Sequence, residues 1–132
     1  MHRCEVKVTR EPLLPLPCVF STEHGAVVDF FGVVRENEND TTISGLEYEA
    51  FVEMAEAELR RISEETAQKF SLGAVIVHHR IGFVPAGEAS LFVRVSGRHR
   101  GAAFAGSQQL VELLKARVPI WKRPIPVKKH SA

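Results

Sequence analysis

Ala74-Val-Ile-Val-His-His-Arg-Ile81, Gly82-Phe-Val-Pro-Ala-Gly-Glu88 and Ala89-Ser-Leu-Phe-Val-Arg-Val-Ser96 follow one another in the chain. The outer two are short, apolar and rich in β-branched residues, as strands are. The middle piece supplies the Gly and Pro of a connection. Two strands therefore come in succession, with no helix between them. Upstream, residues 3–9 read as a first strand and Gly25-Ala-Val-Val-Asp-Phe-Phe-Gly-Val-Val34 as a buried one. Arg35 to Thr42 is a polar, turn-rich loop. From Ile43 to Phe51 the pattern alternates, with Ile43, Leu46, Tyr48 and Ala50 inward and a slip at Gly45 where a bulge fits. The period then changes. Ala55, Leu59, Ile62, Thr66 and Phe70 follow the 3–4 spacing of an amphipathic helix over residues 52–70, with Gly73 as its stop. A second helix spans 101–117, with a stripe of Phe104, Val111, Leu114 and Val118 beside Leu110, and Pro119 ends it. Strands in consecutive groups predict an α+β fold, with a mostly antiparallel sheet and both helices packed on it, rather than a doubly wound parallel sheet.

The chain has 132 residues, 45% of them hydrophobic and 25% charged, so one domain over residues 1–132 is expected. No apolar run reaches membrane-spanning length, and Met1 to Arg10 has no apolar core of a secretory signal. A cytoplasmic location with reduced thiols is the expectation. Cys4 and Cys18 are too far apart for a redox pair, no nearby residue completes a zinc site, and both read as packed small residues.

The net charge of +1 hides an asymmetry. Residues 1–66 hold 6 Lys/Arg against 14 Asp/Glu, and residues 67–132 hold 11 against 2. A chain skewed in this way presents a positive surface to an anion, or pairs its two halves on folding. Three basic groups stand out. Arg35 directly follows a buried strand, which would hold it rigidly for planar anion recognition; it could equally pair with Glu36 or Glu38. Arg98-His99-Arg100 precede a helix N-terminus, where an anion would be welcome, though His99 could also be a capping or core residue. Lys115 and Lys122 flank Pro119, so the chain can fold back and bring both amines to one pocket; either could instead be a plain surface lysine. Crowded cations disfavour one another's charge, the route by which an amine becomes a nucleophile or a proton carrier near neutral pH. His78 and His79 are adjacent on a strand and point to opposite faces, so they cannot share a metal.

Taken together, Gly25-Ala, Phe31-Gly-Val-Val-Arg35, Leu46-Glu-Tyr-Glu-Ala-Phe51, His79-Arg-Ile-Gly82, Gly87-Glu88, His99-Arg100 and Leu114-Lys-Ala-Arg-Val-Pro-Ile-Trp-Lys122 strongly resemble the large, catalytic subunit of molybdopterin synthase. The resemblance runs from about residue 25 to 123 and is weak over residues 1–24. It implies an α/β hammerhead fold and a homodimer. Each protomer would bind a small ubiquitin-like sulfur-carrier subunit, giving a heterotetramer. The carrier's C-terminal Gly-Gly thiocarboxylate would enter a pocket and deliver sulfur to cyclic pyranopterin monophosphate, forming the dithiolene of molybdopterin. By position, Lys115 and Lys122 match the family's active-site lysines. Arg35, His99 and Arg100 match its substrate-anion pocket, which can be built across the dimer. No cofactor and no metal is implied.

The family usually has an acidic residue where Pro124 stands, and the tail over residues 123–132 is short and basic. These departures would suit a non-catalytic module that keeps the fold and binds a carrier tail. A nucleic-acid-binding domain is a third reading of the basic C-terminal part, but only Phe104 and Trp121 could stack on bases there.

Overall fold

The computed structural model describes residues 2–127. Its elements are β1 (Arg3–Thr9), β2 (Ala26–Val33), β3 (Asn37–Glu38), β4 (Thr41–Ala50), α1 (Val52–Phe70), β5 (Ala74–Arg80), β6 (Gly82–Pro85), β7 (Ala89–Gly97), α2 (Arg100–Arg117) and β8 (Ile120–Pro126). The first sheet runs β1-β5-β7-β2. Only β1 and β5 pair in parallel, with Val6 opposite Val77; β5–β7 and β2–β7 are antiparallel. Side chains alternate across a strand, and β7 sorts accordingly. Leu91, Val93 and Val95 face the helices and join Leu59, Ile62, Leu110 and Leu114 in the main core. Burying each large apolar side chain there contributes about 1.5–3 kcal/mol. Both helices thus cover one face of this sheet, as expected.

The opposite face carries Phe92 against Phe31, His78 hydrogen-bonded to Glu5, and Arg94. Arg94 is buried, forks onto the Asp29 carboxylate, and donates to the carbonyls of Leu16 and Pro17. The Pro-rich segment 11–24 is thereby strapped over the sheet.

The second sheet is organised around β4, which pairs with β3, β6 and β8. Its register against β8 shifts between Ile43 and Gly45, where the alternation slips. A Cβ at Gly45 would sit 2.3 Å from the Val84 carbonyl oxygen, so the close approach of β4 to β6 requires glycine there. A smaller core of Val34, Ile43, Leu46 and Val84 lies under this sheet.

Several expectations are corrected. The 82–88 connection contains β6, a short strand that the Gly and Pro residues conceal. The tail from Ile120 is not merely extended but is β8, an edge strand that tolerates Pro124 and Pro126; the rest of the basic tail, residues 128–132, lies outside the described residues. Ser71, with φ of 54°, supplies the left-handed residue that ends α1, two positions before Gly73. The buried stripe of α2 is Ala103, Gly106, Ser107, Leu110 and Leu114, while Phe104 points outward. Small residues there let Leu72 press against Gly106. Cys4 packs beside the main core, but Cys18 is exposed. Among the described residues, no helix is long and apolar enough to cross a membrane.

Candidate active site

Between the end of α2 and the second sheet lies a cavity of about 560 Å³, with Arg35, Lys115 and Lys122 in its walls. Each arrives by a different route. Arg35 extends from Val34, which is buried, receives the Glu88 carbonyl on its N–H and offers its own carbonyl to the Gly87 N–H. Gly87 has φ of 91°, the left-handed turn that this grip requires. Glu88 in turn accepts from the buried Arg80 guanidinium at 2.7 Å, so the His79-Arg80 and Gly87-Glu88 pieces brace the loop that carries Arg35. Lys115 sits in the last turn of α2. The chain leaves that helix at Val118, whose N–H bonds Leu114, and reverses at Pro119 into β8. There Lys122 pairs in register with Tyr48 of β4. On the strand's other face Trp121 donates to Glu49 and meets the Phe51 ring edge-on, anchoring β8.

None of the three cations has a salt bridge among the described residues. Glu36 therefore does not claim Arg35, and Glu38 lines the cavity without an ion pair to it. Three unpaired cations around a concave wall form a site for an anion. Arg117, by contrast, is committed to Glu58 and Glu65 of α1 and holds the two helices together.

His99 and Arg100 are not in this cavity. Both are exposed at the opposite end of α2, and His99 occupies the N-cap position without a side-chain cap bond. It is thus neither a capping nor a core histidine. The fifteen positions from Arg100 to Lys115 span about 22 Å of helix. Within one protomer the expected five-residue cluster is therefore two groups, with Arg35, Lys115 and Lys122 at one end and His99 with Arg100 at the other.

Sequence reasoning missed the floor of the cavity, where His79, Tyr48 and Ser90 meet. The Tyr48 hydroxyl donates to Ser90, and the Tyr48 ring stands edge-on to His79 at 5.2 Å. Burial pushes the His79 pKa below its ordinary value, against the raising effect of the bond to the Arg80 carbonyl. Burial likewise raises the Tyr48 phenol. The opposed pointing of His78 and His79 signals that one of them enters this core, but not what it meets.

Neither cysteine lines the cavity. The ligand atoms of His2, Cys4 and Glu64 lie within 4.8 Å of one another, a trio that the spacing along the chain does not reveal. His2 is already paired with Glu64 at 2.8 Å. Burial, followed by the Glu64 charge, pushes the Cys4 thiol up to about 11, which opposes the thiolate a metal would need.

Comparison with known proteins identifies the family. The MoaE protein family matches residues 8–117. The molybdopterin synthase catalytic subunit of Emericella nidulans is 39% identical over 115 residues, covering 87% of this chain and 59% of that protein. That of Thermoplasma volcanium is 36% identical over 123 residues, covering 91% and 90%. The crystal structure of molybdopterin synthase from Staphylococcus aureus superposes with a TM-score of 0.82 at 31% identity, covering 92% of this chain and 91% of that one. Against several of the eukaryotic relatives, the chain spans only 50–59% of their length. By the span of the family match, by identity to relatives and by fold, this chain belongs to the MoaE protein family.

Proposed function

We propose that the chain is the catalytic subunit of a molybdopterin synthase, a cytoplasmic sulfurtransferase of molybdenum-cofactor biosynthesis whose residues 1–132 act as one domain. Its substrates are the C-terminal thiocarboxylate of a small ubiquitin-like carrier subunit and cyclic pyranopterin monophosphate. The observation that carries the reading is the convergence of Arg35, Lys115 and Lys122 on one cavity from three separate elements. Both reactants are anionic, and a wall of unpaired cations lowers the cost of bringing them together. No cysteine lines the cavity, which fits a reaction whose sulfur arrives on the carrier.

In this reading Lys115 contacts the carrier's terminal acyl group, while Lys122 and Arg35 orient the pterin and its phosphate. His99 and Arg100 complete the anion site from a second copy of the chain in a homodimer, since their own cavity is a helix length away. The carrier's thiocarboxylate sulfur bonds to a pterin side-chain carbon as that carbon's oxygen substituent leaves; water then cleaves the acyl–sulfur bond, which frees the carrier as a carboxylate and leaves the sulfur on the pterin, and the lysines stabilise the negative charge that moves in both steps. Pro124 lies opposite Leu46 in an edge strand and leaves Lys122 in the cavity wall, which favours catalysis over a binding-only module.

The test is turnover with thiocarboxylated carrier and cyclic pyranopterin monophosphate. Wild-type protein is expected to form the dithiolene product, and Lys115→Ala to abolish it while leaving the homodimer intact. Full turnover by Lys115→Ala would remove the assignment, and no turnover by wild type would leave the binding-only module.

A further inference from the structure

The cavity has two chemically distinct halves. Arg35, Lys115 and Lys122 can only donate hydrogen bonds. Such groups recognise a phosphate or a carboxylate, but they cannot receive the N–H groups that a pterin carries on its ring and its exocyclic amine. The floor is different. His79 is 5% exposed, yet it lines the cavity. Its Nδ1 lies 2.8 Å from the Arg80 carbonyl oxygen, which can only accept, so Nδ1 carries the proton. The lone pair is left on Nε2, which has no protein partner among the described residues. The neighbouring hydroxyl of Tyr48 points its hydrogen at Ser90, and Ser90 points on towards the Gly32 carbonyl, so their hydrogens are spoken for. Glu38 adds a carboxylate at the rim.

Resting on the catalytic reading above, we infer that His79 is a substrate-specificity residue, whose Nε2 accepts a hydrogen bond from an N–H of the pterin while the lysines and Arg35 hold the phosphate. The Arg80 carbonyl sets the tautomer and the edge-on Tyr48 ring sets the plane, so the acceptor is aimed before substrate arrives. A ligand lacking ring N–H groups gains nothing from it. The cavity would then separate a pterin monophosphate from other small phosphates by its floor rather than by its charge.

Two measurements test this. In wild-type protein, the long-range proton–nitrogen NMR spectrum follows the His79 ring nitrogens during titration with cyclic pyranopterin monophosphate, with inorganic phosphate as the control. The Nε2 resonance is expected to move with the pterin and to stay in place with phosphate. In parallel, His79→Met is expected to weaken pterin binding about tenfold, the effect of one lost hydrogen bond. Phosphate affinity should be unchanged, and His79→Gln, which restores an acceptor, should recover most of the pterin affinity. Pterin binding with an unmoved Nε2 overturns the inference alone and leaves the enzyme assignment standing. Equal losses of pterin and phosphate affinity in His79→Met also overturn it. If wild-type protein binds no pterin, the functional reading fails and the inference falls with it. The NMR titration decides the matter even if the methionine variant does not fold.

Discussion

Arg94→Met removes the anchor of the 11–24 strap at little change in apolar volume. The guanidinium makes four bonds, at 2.7 and 2.9 Å to Asp29, 2.9 Å to the Pro17 carbonyl and 2.8 Å to the Leu16 carbonyl. A charged donor on a shielded carbonyl contributes about 1.5–3 kcal/mol. The Asp29 side chain keeps 35% of its surface in water, so its ion pair counts for at most about 1 kcal/mol. Pro17 is exposed and Leu16 half-buried, so water replaces part of what the two carbonyls lose. The expected cost is therefore about 2 kcal/mol, well below the sum of four undiminished bonds. Urea unfolding gives this number, and limited proteolysis locates it, because the strap should be cut within residues 11–24 before the helices are touched. Lys in place of Arg94 should recover little, since an ammonium cannot fork onto a carboxylate and two carbonyls at once. The cavity lies on the other side of the sheet, so turnover should persist at temperatures where the protein stays folded. A methionine variant within about 0.5 kcal/mol of wild type, with an equally protected strap, would refute the claim that Arg94 holds this segment.

Further outcomes follow from other sites. Lys122→Met should lower turnover by about a hundredfold or more, the scale of losing one charged donor at a reacting centre, while unfolding changes by less than about 0.5 kcal/mol because the side chain is exposed; paired kinetic and melting measurements check both. Gly45→Ala should cost about 1–3 kcal/mol, since the added methyl meets the Val84 backbone oxygen, which cannot swing aside, as well as the Phe83 ring; a thermal melt reads it. His79 is held below its ordinary value of 6.5 mainly by burial. The unfolded chain therefore takes up this proton first on acidification, so the contribution of His79 to stability is complete above about pH 6.5 and is lost as pH falls towards the folded value. Unfolding free energies at pH 7.5 and 5.5 should differ less in His79→Gln than in wild type, and an unchanged difference would exclude this residue as a source.

What could be read along the chain is what local chemistry controls. Alternation and β-branching mark β2, β4, β5 and β7, the 3–4 period marks α1 from Val52 to Phe70, and Pro119 ends α2, because side-chain periodicity and proline geometry act over a few residues. The basic residues were visible too, and so was the possibility that Lys115 and Lys122 meet across a turn. Other matters belong to the tertiary structure. β6 and β8 owe their existence to pairing with β4, a contact between segments far apart in the chain, and neither has enough strand character of its own to declare itself. Arg35 joins the lysines only because β2, α2 and β8 end around one hollow. His99 and Arg100 are parted from Lys115 by the rigid length of the helix between them, which no charge pattern along the chain discloses. His79 became a candidate only when folding buried it, set its tautomer against a carbonyl and placed it in the cavity lining, three conditions that the chain order of its neighbours does not reveal.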